Sequence, residues 1–284
     1  MLKNYLSDQY KDLNNFILKE KDNFQNAKPF PHIVLKNFFD SKCLDEVLND
    51  FPKNLNSLSK NLSDDKELME WDDINSKKIT TKKPSPAMFK EKIHNFLNEL
   101  NSFYFVDFLQ KITGIKERII PDPYFWGGGM HISKRGGYAK IHADYNIHPK
   151  MKLDRRINVL IYLNKDWKEE YGGYLELWNR EMTECLQKVS PSFNTMVIFN
   201  TNDFSYHGHP DPLLCPENIT RNSIALYYYS NGRPASEIDI YNFDHSTLFK
   251  NRKNLEEINV VRVEYKKVFG KYYVKKKFKS VPSS

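Results

Sequence analysis

Between Pro121 and Gly232 the chain repeats one texture: short runs rich in β-branched and aromatic residues, separated by turn residues, with no helical periodicity between them. The runs fall at 124–133, 138–147, 157–163, 173–178, 195–200 and 223–229. Gly136-Gly137 and Gly172-Gly173 punctuate them where a Cβ would be awkward. Closely spaced strands without intervening helices must bury their apolar faces against one another. That predicts an antiparallel barrel or sandwich.

The residues before this region read differently. Leu2, Tyr5, Leu6, Leu13, Phe16 and Ile17 share one helical stripe, so a lead-in helix is expected over 2–17. Pro31 to Phe39 reads as a strand, and Leu44, Val47, Leu48 and Phe51 as a helix stopped by Pro52. Residues 53–84, rich in Asn, Ser, Lys and Asp, read as a long, partly mobile loop. Helical patterning returns from Ala87 to Ile112, with Gly114 as its stop. The expected division is an N-terminal helical supporting region (1–118), a β core (119–234) and a basic C-terminal extension (235–284).

Composition sets outer bounds. A 284-residue chain that is 40% hydrophobic and 14% aromatic buries a working core and is not disordered. No apolar run approaches the roughly 18 residues of a membrane-spanning helix, and no secretory signal is visible. Cys43, Cys185 and Cys215 are odd in number and form no CxxC, which fits a reducing, cytoplasmic setting. The net charge of +7 is matched by residues 262–280 alone, where eight Lys and Arg stand against Glu264. Such lysines are read as a solvated edge that discourages aggregation, and nucleic acid is not the expected partner.

The chemistry concentrates in His142-Ala143-Asp144. On a strand, positions i and i+2 face the same way, so imidazole and carboxylate project together. One more neutral imidazole from a distant strand completes a two-His-one-carboxylate face with open metal positions, the pattern of non-haem Fe(II) oxygenases. His207, in Ser205-Tyr206-His207-Gly208-His209, is that candidate, and Gly208 permits close packing beside it. Arg221 heads the strand Asn222–Tyr229, where an inward guanidinium requires an anion. A dicarboxylic cosubstrate supplies one, and Tyr162 can donate its hydroxyl to the same carboxylate. His148 reads as structural, and Trp126, Trp167 and Trp178 as packing.

His142-x-Asp144, His207 and Arg221, in that order on β-patterned segments, resemble the iron- and 2-oxoglutarate-dependent dioxygenases. The prolyl-4-hydroxylase branch is nearer. Arg155–Trp167 followed by Gly172-Gly173-Tyr174-Leu175 is similar to the hypoxia-type prolyl hydroxylases, and the likeness spans about residues 125–232. It implies an α+β fold with a double-stranded β-helix (jelly roll, cupin-like) core flanked by N-terminal supporting helices. It also implies that His142, Asp144 and His207 hold Fe(II), while Arg221 and Tyr162 hold 2-oxoglutarate. His131 stands where that branch often has a cosubstrate-contacting Tyr. Tyr227 and Leu175 would line the pocket, and His209 would lie near the cosubstrate.

The implied cofactors are Fe(II), 2-oxoglutarate and O2, with ascorbate as an accessory. His142, Asp144, His207 and Arg221 are the expected catalytic set. The expected reaction hydroxylates a C–H bond of a prolyl, peptidyl or amino-acid substrate and releases succinate and CO2. Asp144 favours hydroxylation over halogenation, because related halogenases have a small residue there. Collagen-type hydroxylases would have Lys at position 221, and the substrate-contacting loops do not match. The alternatives are the same chemistry on a sugar- or nucleotide-linked metabolite, or a non-catalytic jelly-roll binding module. Nucleic-acid demethylases carry a second Arg six residues after the first, where this chain has Tyr227. The expected assembly is a monomer or homodimer, without membrane partners.

Overall fold

A computed structural model describes residues 2–52, 68–73, 75–81, 89–237, 245–252, 263–268 and 271–276. Among the described residues four α-helices precede most of the sheet: α1 (Leu13–Asn26), α2 (Ser41–Asn49), α3 (Glu91–Leu100) and α4 (Phe103–Thr113). The early strands are β1 (His32–Lys36), β2 (Leu68–Asp72), β3 (Ser76–Thr81), β4 (Ile120–Pro121) and β5 (Gly129–Ser133). Next come β6 (Tyr138–Ala143), β7 (Asp154–Tyr162), β8 (Leu175–Trp178), β9 (Cys185–Val189) and β10 (Thr195–Asn200). The last are β11 (His207–His209), β12 (Arg221–Ser230), β13 (Leu248–Phe249), β14 (Val263–Val268) and β15 (Lys271–Lys276).

The main sheet runs β1-β10-β7-β12-β5-β3-β6-β11-β8-β9, with β13 on β6, β2 on β3 and β4 on β12. It curls into a double-stranded β-helix, because Leu175 and Leu177 of β8 pack across the lumen onto Tyr162, Val197 and Phe199. Strand β7 shows why two faces form. Ile157, Val159 and Ile161 join the outer cluster with Phe105, Phe108 and Ile112 of α4, whereas Leu160 and Tyr162 join the lumen cluster. Tyr228 ties the outer face to α3 by donating its hydroxyl to the Leu100 carbonyl at 2.9 Å. Among the described residues no helix is long and apolar enough to cross a membrane.

Several local expectations are corrected. No single helix covers 2–17: two 3-10 turns precede α1, which starts at Leu13 behind an Asp12 cap accepting from the Asn15 N–H at 3.0 Å. The reason is tertiary, since Leu6 bridges Phe39 and the Ser7 N–H bonds the Phe38 carbonyl at 3.1 Å. The 87–112 pattern is two helices, broken where Ser102 turns extended, and Gly114 closes the second at φ 69°.

Within 53–84, residues 68–81 hold the β2–β3 hairpin rather than a loop, and 53–67, 74 and 82–84 lie outside the described residues. The N-terminal region therefore supplies three strands as well as helices, and the C-terminal extension supplies β13. The lysine-rich stretch forms the β14–β15 pair.

Candidate active site

Strands β6 and β11 lie side by side with His142 opposite His207. Gly208 makes this possible: a Cβ there would sit 2.7 Å from the Lys140 carbonyl oxygen and 2.8 Å from that of Ala139. The His142 Nδ1–H donates to the Lys140 carbonyl at 2.6 Å, and the His207 Nδ1–H donates to the Ser205 carbonyl at 2.9 Å. A carbonyl can only accept, so each Nδ1 carries the proton and Nε2 is the ring atom that a metal would take. These point at Asp144, 3.6 Å from Oδ1 for His142 and 3.5 Å from Oδ2 for His207. One ligand atom from each of the three lies within 4.8 Å of the others, so the set could hold a metal ion.

The carboxylate is held from behind. Asn158 donates to Asp144 Oδ2 at 2.7 Å, and Arg155 Nη2 lies 3.0 Å from the same oxygen. Arg155 is itself buried, bonded to Asn158 Oδ1 and stacked 3.5 Å from the Tyr227 ring and 4.5 Å from that of Tyr145. Burial alone would raise the Asp144 carboxyl, but the Arg155 guanidinium and His207 hold it well below the usual carboxylate range. Burial pushes His207 down to about 4, so its imidazole is neutral and ready to ligate.

Further along the lumen, Tyr162, Ser223 and His131 stand in register across β7, β12 and β5. Arg221, two residues before Ser223, is buried and donates its Nε–H to the Gly173 carbonyl at 2.8 Å, with its guanidinium 4.9 Å from the Tyr162 ring. Gly173, at φ 71°, leaves the room: a Cβ would meet Leu213 at 2.4 Å and Arg221 Cδ at 3.0 Å. The Tyr162 hydroxyl and His209 Nδ1 are buried without a hydrogen-bond partner. A guanidinium beside a hydroxyl and an imidazole is a donor set of the kind that fits a carboxylate.

Residues 128–229 match the family model described as the 2OG-Fe(II) oxygenase superfamily. His142, Asp144, His207 and Arg221 all lie inside that match. The chain is similar in fold to a prolyl hydroxylase from Trichoplax adhaerens solved with a hypoxia inducible factor peptide fragment. That match has a TM-score of 0.54 at 18% identity and covers 81% of this chain and 96% of the other. A Pseudomonas putida prolyl-4-hydroxylase matches at TM-score 0.49 and 13% identity, over 76% and 100% of the two chains. HygX from Streptomyces hygroscopicus, solved with nickel and 2-oxoglutarate, matches at 0.47 and 10%, over 81% and 97%. No curated protein matched the chain.

The remaining expected residues divide by face. Leu175 packs against Tyr162 in the lumen, and Tyr227 carries Arg155 on its ring and donates to the Gly127 carbonyl at 3.1 Å. His131 Nε2 bonds that same carbonyl at 3.1 Å, and burial, then Lys78, pushes its pKa down to about 3. His148 is fully buried 3.4 Å from Asp122, with Nδ1 accepting from the Lys150 and Met151 N–H groups.

Sequence reasoning missed Arg155, Asn158 and Lys78. Counting back in twos from Tyr162 would have placed Asn158 in the lumen. Lys78 hides in a polar run, Ser-Lys-Lys-Ile-Thr-Thr, whose only signal is buried Ile79 facing outward beside it.

Proposed function

We propose that this protein is a 2-oxoglutarate-dependent oxygenase that hydroxylates a C–H bond of a prolyl, peptidyl or amino-acid substrate, with His142, Asp144 and His207 holding Fe(II). The observation that carries this is the convergence of two imidazole Nε2 atoms on one carboxylate held well below the usual range, with a buried guanidinium and two unpartnered polar atoms in the same lumen. Arg221 and Tyr162 would hold the distal carboxylate of 2-oxoglutarate. His131, His209, Leu175 and Tyr227 would shape the space between that carboxylate and the metal. The bound iron and cosubstrate supply oxidative decarboxylation of 2-oxoglutarate coupled to oxygen insertion, yielding succinate and CO2. Asp144, kept anionic by Arg155, would offset part of the metal's charge, while the walls of Leu160, Leu175, Val197 and Phe199 would exclude water.

A peptide lies in the similar Trichoplax structure, which supports the peptidyl reading. The same chemistry on a small metabolite is the second reading, favoured by the additional cation Lys78 treated below. Ascorbate as accessory reductant, a cytosolic setting and a monomeric or homodimeric state belong to the proposal, the setting resting on three unpaired cysteines. The test is Fe(II)- and 2-oxoglutarate-dependent succinate release with a proline-containing peptide pool, read with product mass. A gain of one oxygen on peptide supports the reading; succinate without any peptide product favours the metabolite; no succinate overturns both.

A further inference from the structure

Strand β3 stands between β5 and β6, joining the half of the barrel that carries Arg221 to the half that carries His142. Its register sets Thr80 opposite His131, so Lys78, two residues earlier, shares the lumen face with His131. Counting on, Lys78 is level with Ser133, which pairs with Arg221. Lys78 and Arg221 are thus two strands apart, roughly 10 Å at the backbone. Lys78 is half-buried, and Asp144, Arg221 and Arg155 are the leading charges acting on it. Among the described residues its ammonium has neither a hydrogen bond nor an ion pair.

The charges in the lumen do not balance. Lys78, Arg155 and Arg221 are three cations, and Asp144 is the leading carboxylate acting on Lys78, ahead of exposed Asp73. Ferrous iron and dianionic 2-oxoglutarate would cancel each other, leaving two positive charges among these described groups. Arg155 is satisfied by Asp144, Asn158 and two aromatic rings. Arg221 is turned toward Tyr162 and Gly173, on the side of β12 away from β3. Both ends of 2-oxoglutarate are then accounted for, one by the metal and one by Arg221. Among the described residues Lys78 is left without a counter-ion, and an unpaired, half-buried cation is costly.

We propose that Lys78 receives an anionic group, carboxylate or phosphate, of the primary substrate, beside the metal carboxylate and apart from the cosubstrate site. This rests on the iron and 2-oxoglutarate reading above. It selects an acidic substrate: a free amino acid, an acidic metabolite, or a peptide with an acid close to the oxidised carbon. Lys78 acts as a specificity residue, and its ammonium would donate to the anion while Arg221 keeps the cosubstrate.

The test uses the full chain loaded with Mn(II) and saturated with 2-oxoglutarate, titrated calorimetrically with acetate, with inorganic phosphate and with the neutral probe acetamide. Wild type should bind acetate or phosphate and not acetamide, and the stronger of the two identifies the anion. Lys78→Met should weaken that binding at least tenfold, Lys78→Arg should retain it, and both should bind 2-oxoglutarate within about twofold of wild type. Three results overturn the proposal: no anion binding to the loaded wild type, binding indifferent to Lys78→Met, or a tenfold loss of 2-oxoglutarate affinity in Lys78→Met. Failure of the wild type to bind Mn(II) or 2-oxoglutarate at all removes the underlying reading instead.

Discussion

Arg155 Nη2 stands 3.0 Å from Asp144 Oδ2, and the guanidinium is almost wholly buried. A buried carboxylate stripped of its counter-ion costs about 3–5 kcal/mol, and a divalent cation in the same place restores the balance. Arg155→Met should therefore destabilise the metal-free protein by about 3 kcal/mol and the Mn(II)-loaded protein by much less. Denaturant melts with and without Mn(II) measure the difference. Equal losses in both would separate Arg155 from the charge of the metal site.

The three convergent side chains make a second expectation. His207→Ala and Asp144→Ala should abolish Fe(II)-dependent succinate release and weaken Mn(II) binding by at least a hundredfold, while circular dichroism stays that of wild type. Gly208→Val should do the same through geometry alone, because its side chain would drive β11 off the Lys140 carbonyl. Normal Mn(II) affinity in all three variants would move the metal elsewhere.

On the proposed reading, cosubstrate binding would depend on Arg221 and on the space that Gly173 leaves for it. Charge-assisted hydrogen bonds of this kind contribute about 1.5–3 kcal/mol. Arg221→Gln should therefore raise the 2-oxoglutarate KM by roughly 10- to 100-fold with metal affinity preserved. Gly173→Ala should shift the same constant in the same direction, since its Cβ would press on Arg221 Cδ. Unchanged KM values measured by succinate release would sink the assignment.

Burial also sets a pH response. His131 at about 3 and His207 at about 4 both lie below the ordinary histidine value near 6.5. The unfolded chain therefore takes up protons first as pH falls, and stability is lost from pH 6.5 downward toward those values. Each such group contributes up to about 1.4 kcal/mol per pH unit. Asp144, depressed instead, holds its contribution until the pH drops below the usual carboxylate range. Metal-free protein unfolded with urea at pH 7 and pH 5 should show the lower stability at pH 5; a flat profile would contradict neutral buried imidazoles.

The barrel, the His142-x-Asp144 pair and the Arg221 strand were legible because each rests on a short-range rule: alternation, spacing of two, or an inward charge at a strand end. The β2–β3 hairpin was not legible. Lysines and threonines satisfy a strand whose partners on either side do the burying, so Ser76–Thr81 reads as loop until β5 and β6 are present. The 3-10 turns before α1 were hidden for a related reason, since the Leu6–Phe39 bridge is set by the fold and not by the local pattern. Arg155 and Asn158 stood in a recognised stretch but gained their meaning only from proximity to Asp144.

Strands β5 and β6 follow each other along the chain yet do not stand side by side in the sheet; a strand synthesised some fifty residues earlier lies between them. The upstream piece thus emerges before the slot it must fill, and the half of the barrel with His142 and the half with Arg221 are joined only once it has slid home. A nick at 76–81 should therefore part those halves.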